Sequence, residues 1–391
     1  MRKLRQNVTP NPPSPEVFSV MQLWTINEPL LPNLKTLFLF GRSFTPFIPL
    51  FLSPRITSIS LGFGFDLPKT MIASTVTVLQ ILCPDLQKID FYCLPRDLMI
   101  TAAISGMLLV TNRNNLQSLH VDSPLTEKAS EVIYKLPNLC YLSVVIERET
   151  SLPSASLPNL IQLTIKCDNE DSWPRLFHGA TLRKLESVTI YPQSEQLGDL
   201  LGAFERAALS SSVQNTLSRL CLFASCSWNP VYSSLLPFTQ LVDLDIRFSC
   251  HRGCSSRVDD DIVIDLSRAM PKLKYFRLGN APCRQTTTGV TAKGLLALAH
   301  HCPSISALRV HFQLASLSAP LASPGMTSNA EFTTLWTDCA LTDIEVGEMP
   351  VPEGSASAIA LSLLRIFPRL RSIKFIDEGW EEVRIAISLS K

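Results

Sequence analysis

The residues best equipped for metal chemistry are two thiols and an imidazole in Cys250-His251-Arg252-Gly253-Cys254, with Cys221 and Cys226 earlier in the chain. Zinc asks for four tetrahedral ligands, usually from paired C-x-x-C units. One three-residue gap with a neighbouring histidine falls short of that, so these cysteines are expected to be core or loop thiols and no metal is assigned. Asp259-Asp260-Asp261 supplies carboxylates, but no other acid lies at a spacing that completes an ion site. Three acids at the head of a helix suit the positive end of its dipole, and His300 and His301 suit the negative end of theirs. The chain has no G-x-x-x-x-G-K-[ST], no G-x-S-x-G, no H-E-x-x-H and no strand-borne G-x-G-x-x-G. Gly62-Phe63-Gly64 lacks the third glycine and reads as a turn. The sequence therefore predicts no enzyme and no cofactor.

A second set of residues has the chemistry of binding. Asp245, Arg277, Arg309, Glu345 and Lys374 each stand between two apolar residues, and Asp243, Arg247, Tyr275, His311 and Asp343 flank them at alternate positions. Carboxylates and guanidiniums pair with polar partners, and arginine and tyrosine are enriched among binding hot spots. These ten residues are the candidate protein-binding site, with Arg277 and Arg309 gripping an acidic or phosphorylated segment and Tyr275 packing beside it.

What places them is a spacing, L-x-x-L-x-L with Ile, Val or Phe allowed. Clear copies are Leu34/Leu37/Leu39, Leu86/Ile89/Phe91, Leu139/Leu142/Val144, Leu160/Leu163/Ile165, Leu241/Leu244/Ile246, Leu273/Phe276/Leu278, Ile305/Leu308/Val310 and Leu370/Ile373/Phe375, and weaker ones begin at Ile56, Leu116, Leu185, Leu217 and Leu341. From Leu34 to Leu370 the twelve intervals average 28 residues, within the leucine-rich-repeat range. The last two apolar positions are two apart, the period of a strand, so they share one face and the residue between them takes the other. Proline two residues before the first position, as at Pro32, Pro84, Pro271 and Pro303, stops a preceding helix.

Between strands the apolar period lengthens. Lys69 to Leu82, Asp97 to Val110, Thr126 to Leu136, Glu195 to Leu209, Asp259 to Met270, Ala292 to His301 and Ala356 to Phe367 read as amphipathic helices. A strand-plus-helix unit cannot cover its own apolar side, so neighbours must stack. The predicted fold is α/β, a leucine-rich-repeat solenoid or horseshoe, with a parallel sheet on the concave face and helices on the convex face.

Residues 1–31 are expected to be a partly disordered N-terminal segment, 32–380 the repeat domain and 381–391 a C-terminal cap or tail. Ser316 to Ser328, Arg252 to Arg257 and Ala281 to Gly289 read as loops. Hydrophobic content of 46% with 18% charged residues fits repeated core positions, and a net charge of +1 argues against nucleic acid or an anionic membrane as general partners. With no apolar span or signal segment, eleven cysteines read as reduced thiols of a cytoplasmic or nuclear monomer.

The stretch Gly289-Val290-Thr291-Ala292-Lys293-Gly294-Leu295-Leu296-Ala297-Leu298-Ala299-His300-His301-Cys302-Pro303-Ser304-Ile305-Ser306-Ala307-Leu308-Arg309-Val310 resembles the cysteine-containing leucine-rich repeat of F-box proteins, I-T-D-x-G-L-x-x-L-A-x-x-C-P-x-L-x-x-L-x-L. Cys83-Pro84-Asp85-Leu86 repeats its junction, and Leu31 to Ile59 is similar to the repeat region of the F-box-like families of mushroom-forming fungi. The resemblance implies a substrate-recognition arm of a cullin-RING ubiquitin ligase, with Cys83 and Cys302 as packing residues. A free-standing repeat scaffold without a ubiquitin role is the alternative. In the F-box family a helical module of roughly 45 residues precedes the repeats. Here only Ser14-Pro15-Glu16-Val17-Phe18 echoes its first helix, so residues 1–31 are read as a remnant of, or linker from, an F-box. Adaptor binding is expected only if an F-box is supplied.

Overall fold

Each of the thirteen apolar triplets builds a β-strand, because side chains two apart point the same way and can be buried together. The computed structural model describes residues 3–6, 17, 20, 29–64, 66–110, 114–146, 157–167, 182–192, 200–210, 212–225, 232–249, 258–279, 289–318, 339–347, 349–375 and 377–390. The chain forms two units, Met1–Leu185 and Glu186–Lys391.

In the first unit, β1 (Lys3–Gln6), β2 (Thr36–Phe40), β3 (Ser58–Gly62), β4 (Lys88–Tyr92), β5 (Ser118–Pro124), β6 (Tyr141–Ile146) and β7 (Gln162–Cys167) pair in chain order, all parallel. Its helices are α1 (Lys69–Leu82), α2 (Leu98–Val110) and α3 (Glu127–Ile133), and a 3-10 helix covers Arg42–Phe51. The second unit repeats the plan with β8 (Ser187–Pro192), β9 (Arg219–Ser225), β10 (Asp243–Ser249), β11 (Tyr275–Leu278), β12 (Ala307–Val310), β13 (Asp343–Gly347) and β14 (Ser372–Phe375). Its helices are α4 (Leu200–Ser210), α5 (Asp260–Ala269), α6 (Ala292–His301), α7 (Leu314–Ser318), α8 (Ala356–Ile366) and α9 (Trp380–Leu389). One parallel strand per repeat with helical returns is a leucine-rich-repeat solenoid.

The core is built from the predicted positions. All thirteen first apolar residues are buried, as are the second and third of every triplet except Phe375, which is half-buried on β14. Cys83 donates to the Ser53 carbonyl at 3.4 Å, and Cys302 to those of Ser267 and Met270 at 3.5 Å, each thiol filling a helix-to-strand junction. Burial pushes the Cys83 thiol up to about 11 and the Cys302 thiol up to about 12, so both stay protonated packing groups.

The acidic run is divided between two helices. Asp259 caps α5 by accepting from the Ile262 N–H at 3.0 Å. Asp260 instead turns to the neighbouring helix, accepting from the Thr291 N–H at 2.7 Å, its Oγ1 at 2.6 Å and the Gly294 N–H at 2.9 Å. A Cβ at Gly294 would meet the Asp260 Oδ1 at 2.6 Å, so glycine is what lets the carboxylate reach.

Three sequence expectations change. Residues 3–6, placed outside the repeats, add a strand to β2, because Leu4 and Gln6 continue the alternation of Leu37 and Leu39 in register. Gly62 closes β3 and is not in a turn: a Cβ there would sit 2.3 Å from the Phe40 ring, which lies across the strand. Ser316 to Ser318 are helical within α7, with the Ser316 hydroxyl donating to the Gln313 carbonyl at 2.6 Å and accepting from the Ala292 N–H at 3.1 Å. At the expected C-terminal cap or tail, residues 380–389 form a helix seated by Trp380, which is fully buried and donates to the Met349 carbonyl at 2.7 Å. The rest of the 316–328 loop, the 252–257 and 281–288 loops and most of 1–31 lie outside the described residues.

Candidate functional site

Parallel pairing lines up the five charged central positions. Asp245 on β10 faces Arg277 on β11, Arg277 faces Arg309 on β12, Arg309 faces Glu345 on β13, and Glu345 faces Lys374 on β14. One line lower, Asp243, Tyr275, Ala307, Asp343 and Ser372 pair in the same way. The first four each stand between two buried apolar residues, and Lys374 between buried Ile373 and half-buried Phe375, so strand alternation turns them onto the opposite face.

The side chains form one connected network. Arg247 grips Asp245 with Nε at 3.0 and 2.9 Å from its two oxygens and Nη2 at 2.5 Å from Oδ2. Arg277 reaches Asp245 with Nη1 at 3.4 Å and Glu345 with Nη2 at 3.1 Å, and Arg309 meets the other Glu345 oxygen through Nη1 at 2.7 Å. Asp245 is 8% exposed, Arg277 11%, Arg309 16% and Glu345 33%. Charges this far out of water cost several kcal/mol each unless paired. The two adjacent like charges, Arg277 and Arg309, are therefore offset from both sides by acids. Three guanidiniums share two carboxylates, and the Nε of Arg277 and of Arg309 finds no acceptor among the described residues.

The electrostatics follow. The Asp245 carboxylate raises Arg247 above the usual guanidinium value, whereas burial, with Arg277 next to it, lowers Arg309. Burial raises Asp243 despite its 2.8 Å pair with Arg219, and burial raises Tyr275, whose ring lies 5.7 Å from the Arg277 guanidinium carbon. Asp343 accepts from the Thr342 hydroxyl at 2.6 Å, His311 is half-buried beyond the end of β12, and Lys374 is exposed. The structure thus joins Asp245, Arg247, Arg277, Arg309 and Glu345 directly, and sets Asp243, Tyr275, His311, Asp343 and Lys374 around them.

Two participants are absent from the sequence-derived set. Arg219 pairs with Asp243, and the Phe223 ring lies 4.8 Å under the Arg247 guanidinium while stacking on Tyr191 at 4.4 Å. Both sit on β9 at the alternate positions facing Asp243 and Arg247. Extending the alternation one repeat toward the N-terminus would have found them.

Of the thiols weighed as zinc ligands, Cys221 faces Asp245 on β9, and burial followed by that carboxylate pushes it up to about 12. Cys226, Cys250, His251 and Cys254 lie outside the described residues. Among the described residues no group of three or more His, Cys, Asp or Glu side chains is placed to hold a metal ion, and no helix is long and apolar enough to cross a membrane.

No protein-family model matches the chain, and no curated protein matches it. A chain of the crystal structure of the Rad7 and Elc1 complex in yeast is similar at a TM-score of 0.36 and 17% identity, over 70% of this chain and 77% of that one. A likeness that distant carries no argument about the site.

Proposed function

We propose that the protein is a non-catalytic protein-binding module, the substrate-recognition arm of an SCF-type cullin-RING ubiquitin ligase. Its target lies on the charged sheet face of the second unit. The observation that supports this location is the in-register row from Asp245 to Lys374, five charged residues on five adjacent strands. Strands hold such a row at fixed spacing, so its donors are organised before a partner arrives and little entropy is lost on binding. Arginine beside tyrosine is the composition of a hot spot, and an acidic or phosphorylated segment is the complement of a guanidinium row. The ubiquitin assignment rests on the resemblance of the Gly289 to Val310 repeat to that of F-box proteins. In this reading the ligase adaptor joins through an F-box, and the compartment is the cytosol or nucleus.

Capture from cell extract tests both parts. The full chain fused to an F-box module should bring down the adaptor, the cullin and a target, and the double variant Arg277→Glu/Arg309→Glu should lose the target while keeping the ligase. Target capture that survives the double variant moves the site off this face. A target retained without any ligase component, even with the F-box attached, makes the chain a free-standing scaffold.

A further inference from the structure

Glu345 sits as a guest anion would. Its two oxygens are divided between two arginines, Oε1 to Arg309 on the adjacent strand at 2.7 Å and Oε2 to Arg277 two strands away at 3.1 Å. The other acid of the network is also shared by two arginines, Arg247 and Arg277, but is held more closely. Asp245 is 8% exposed and held by three contacts from Arg247, whereas Glu345 is a third exposed and has no cation on its own strand. The network also carries one guanidinium more than its carboxylates match, with Arg277 and Arg309 largely out of water.

We infer that Glu345 is a tethered stand-in for the anionic group of the partner, displaced from Arg277 and Arg309 when the partner docks. This rests on the charged face being the binding face. A side chain tethered beside its receptor competes at an effective concentration on the order of millimolar. A free monocarboxylate offers the arginines nothing that Glu345 does not, so it is excluded until it exceeds that concentration. A phosphoryl group brings about −1.5 to −2 charge and three acceptor oxygens, enough to meet the unmatched guanidinium charge as well. Glu345 thus acts as a filter that sets which anions enter.

The test uses the full chain with inorganic phosphate and acetate as probes at constant ionic strength, reading the Nε–H resonances of Arg277 and Arg309 by NMR. In the native protein phosphate should shift both resonances at concentrations where acetate shifts neither. Glu345→Gln should bind phosphate at least threefold more tightly and should respond to acetate, and Glu345→Ala should do the same, which covers a local disturbance from the amide. Native responses equal for the two anions, phosphate no tighter in either variant, or silence from all three proteins would each overturn the inference. In those cases the binding-face reading stands if target capture is still lost in Arg277→Glu/Arg309→Glu, and falls with it if capture is unaffected.

Discussion

The two units use the same strand alternation to carry different chemistry. Where the second unit presents carboxylates and guanidiniums, the corresponding face of the first presents rings. Arg5 lies over Phe38 at 4.9 Å, Phe38 stacks on Phe40 at 4.6 Å, Phe40 meets Tyr92 at 5.3 Å and Tyr92 meets His120 at 4.5 Å. Gly62 makes this continuous, because only a residue without a Cβ lets the Phe40 ring cross β3 to Tyr92. The acids of this face are paired as well: Asp90 by Ser60 at 2.6 Å and Lys88 at 3.1 Å, and Asp122 by His120 on its own strand at 3.1 Å and by Lys166 on β7, two strands away, at 2.6 Å. In the second unit Glu345 likewise reaches two strands away, but it is shared by two arginines that continue the row from strand to strand. Rings and charged side chains both bridge strands, Phe40 to Tyr92 and Glu345 to Arg277 each crossing the strand between them. A repeat core leaves either choice open, since it constrains only the buried positions.

That view is sharpest where the units should agree. Leu119 in the first unit and Leu278 in the second are both buried triplet residues, and truncating either to Ala should cost about 2–5 kcal/mol through lost transfer energy and a residual cavity. Chemical denaturation of the two variants checks it, and a small loss in one unit alone would mean that the cores differ as well as the faces.

The faces should then separate. Asp245→Ala strands two arginines in a largely desolvated network and should cost about 3 kcal/mol, whereas Asp90→Ala, whose Lys88 partner can swing into water, should cost about 1 kcal/mol. Equal losses in melting experiments would mean that the ionic face is no more interdependent than the aromatic one.

For binding, Arg277→Glu/Arg309→Glu should weaken target affinity at least tenfold, about 1.4 kcal/mol, read at a temperature where the variant, itself destabilised by the acids it leaves unpaired, is still folded. Tyr92→Ala, on the other face, should leave that affinity unchanged. A comparable loss from Tyr92→Ala in the same titration would spread the partner over both units.

Gly62→Ala probes the aromatic row alone. The new methyl group must push Phe40 aside and should cost about 1 kcal/mol, with a change in near-ultraviolet dichroism. An unchanged spectrum would show that the rings are not held as a row.

The smallest effect is a matter of pH. Burial raises Asp122, but His120 and Lys166 outweigh it and hold its carboxyl well below the usual carboxylate range. A folded value below the unfolded one gives stability that is present above about pH 4 and is lost as pH falls toward the folded value. Asp243 is shifted upward, so its contribution has the opposite sign: it is present below the unfolded value and lost as pH rises through the folded one. Relative to native protein, Asp122→Asn should be destabilised at pH 7 and approach it on acidification, while Asp243→Asn should gain slightly at pH 7. Parallel stability curves for the two variants would sink this contrast.

The amino-acid sequence by itself determined the repeat, the strand positions and the buried set, because a two-residue period and a proline stop are local properties that no distant residue has to confirm. Leu244, Leu278 and Leu308 were identifiable as core from spacing alone. It also determined that the last five central positions are charged, since each lies between two apolar markers. It did not determine which of those charges meet. Arg277 and Glu345 are 68 residues apart, and their contact depends on three strands pairing without a slip and on side chains long enough to cross the middle one. The reach of Asp260 to α6, the crossing of Phe40 over Gly62 and the docking of residues 3–6 onto β2 are likewise contacts between segments brought together only by the stacked fold. Spacing along a chain sets which face a side chain takes, and only the tertiary structure sets what stands opposite it.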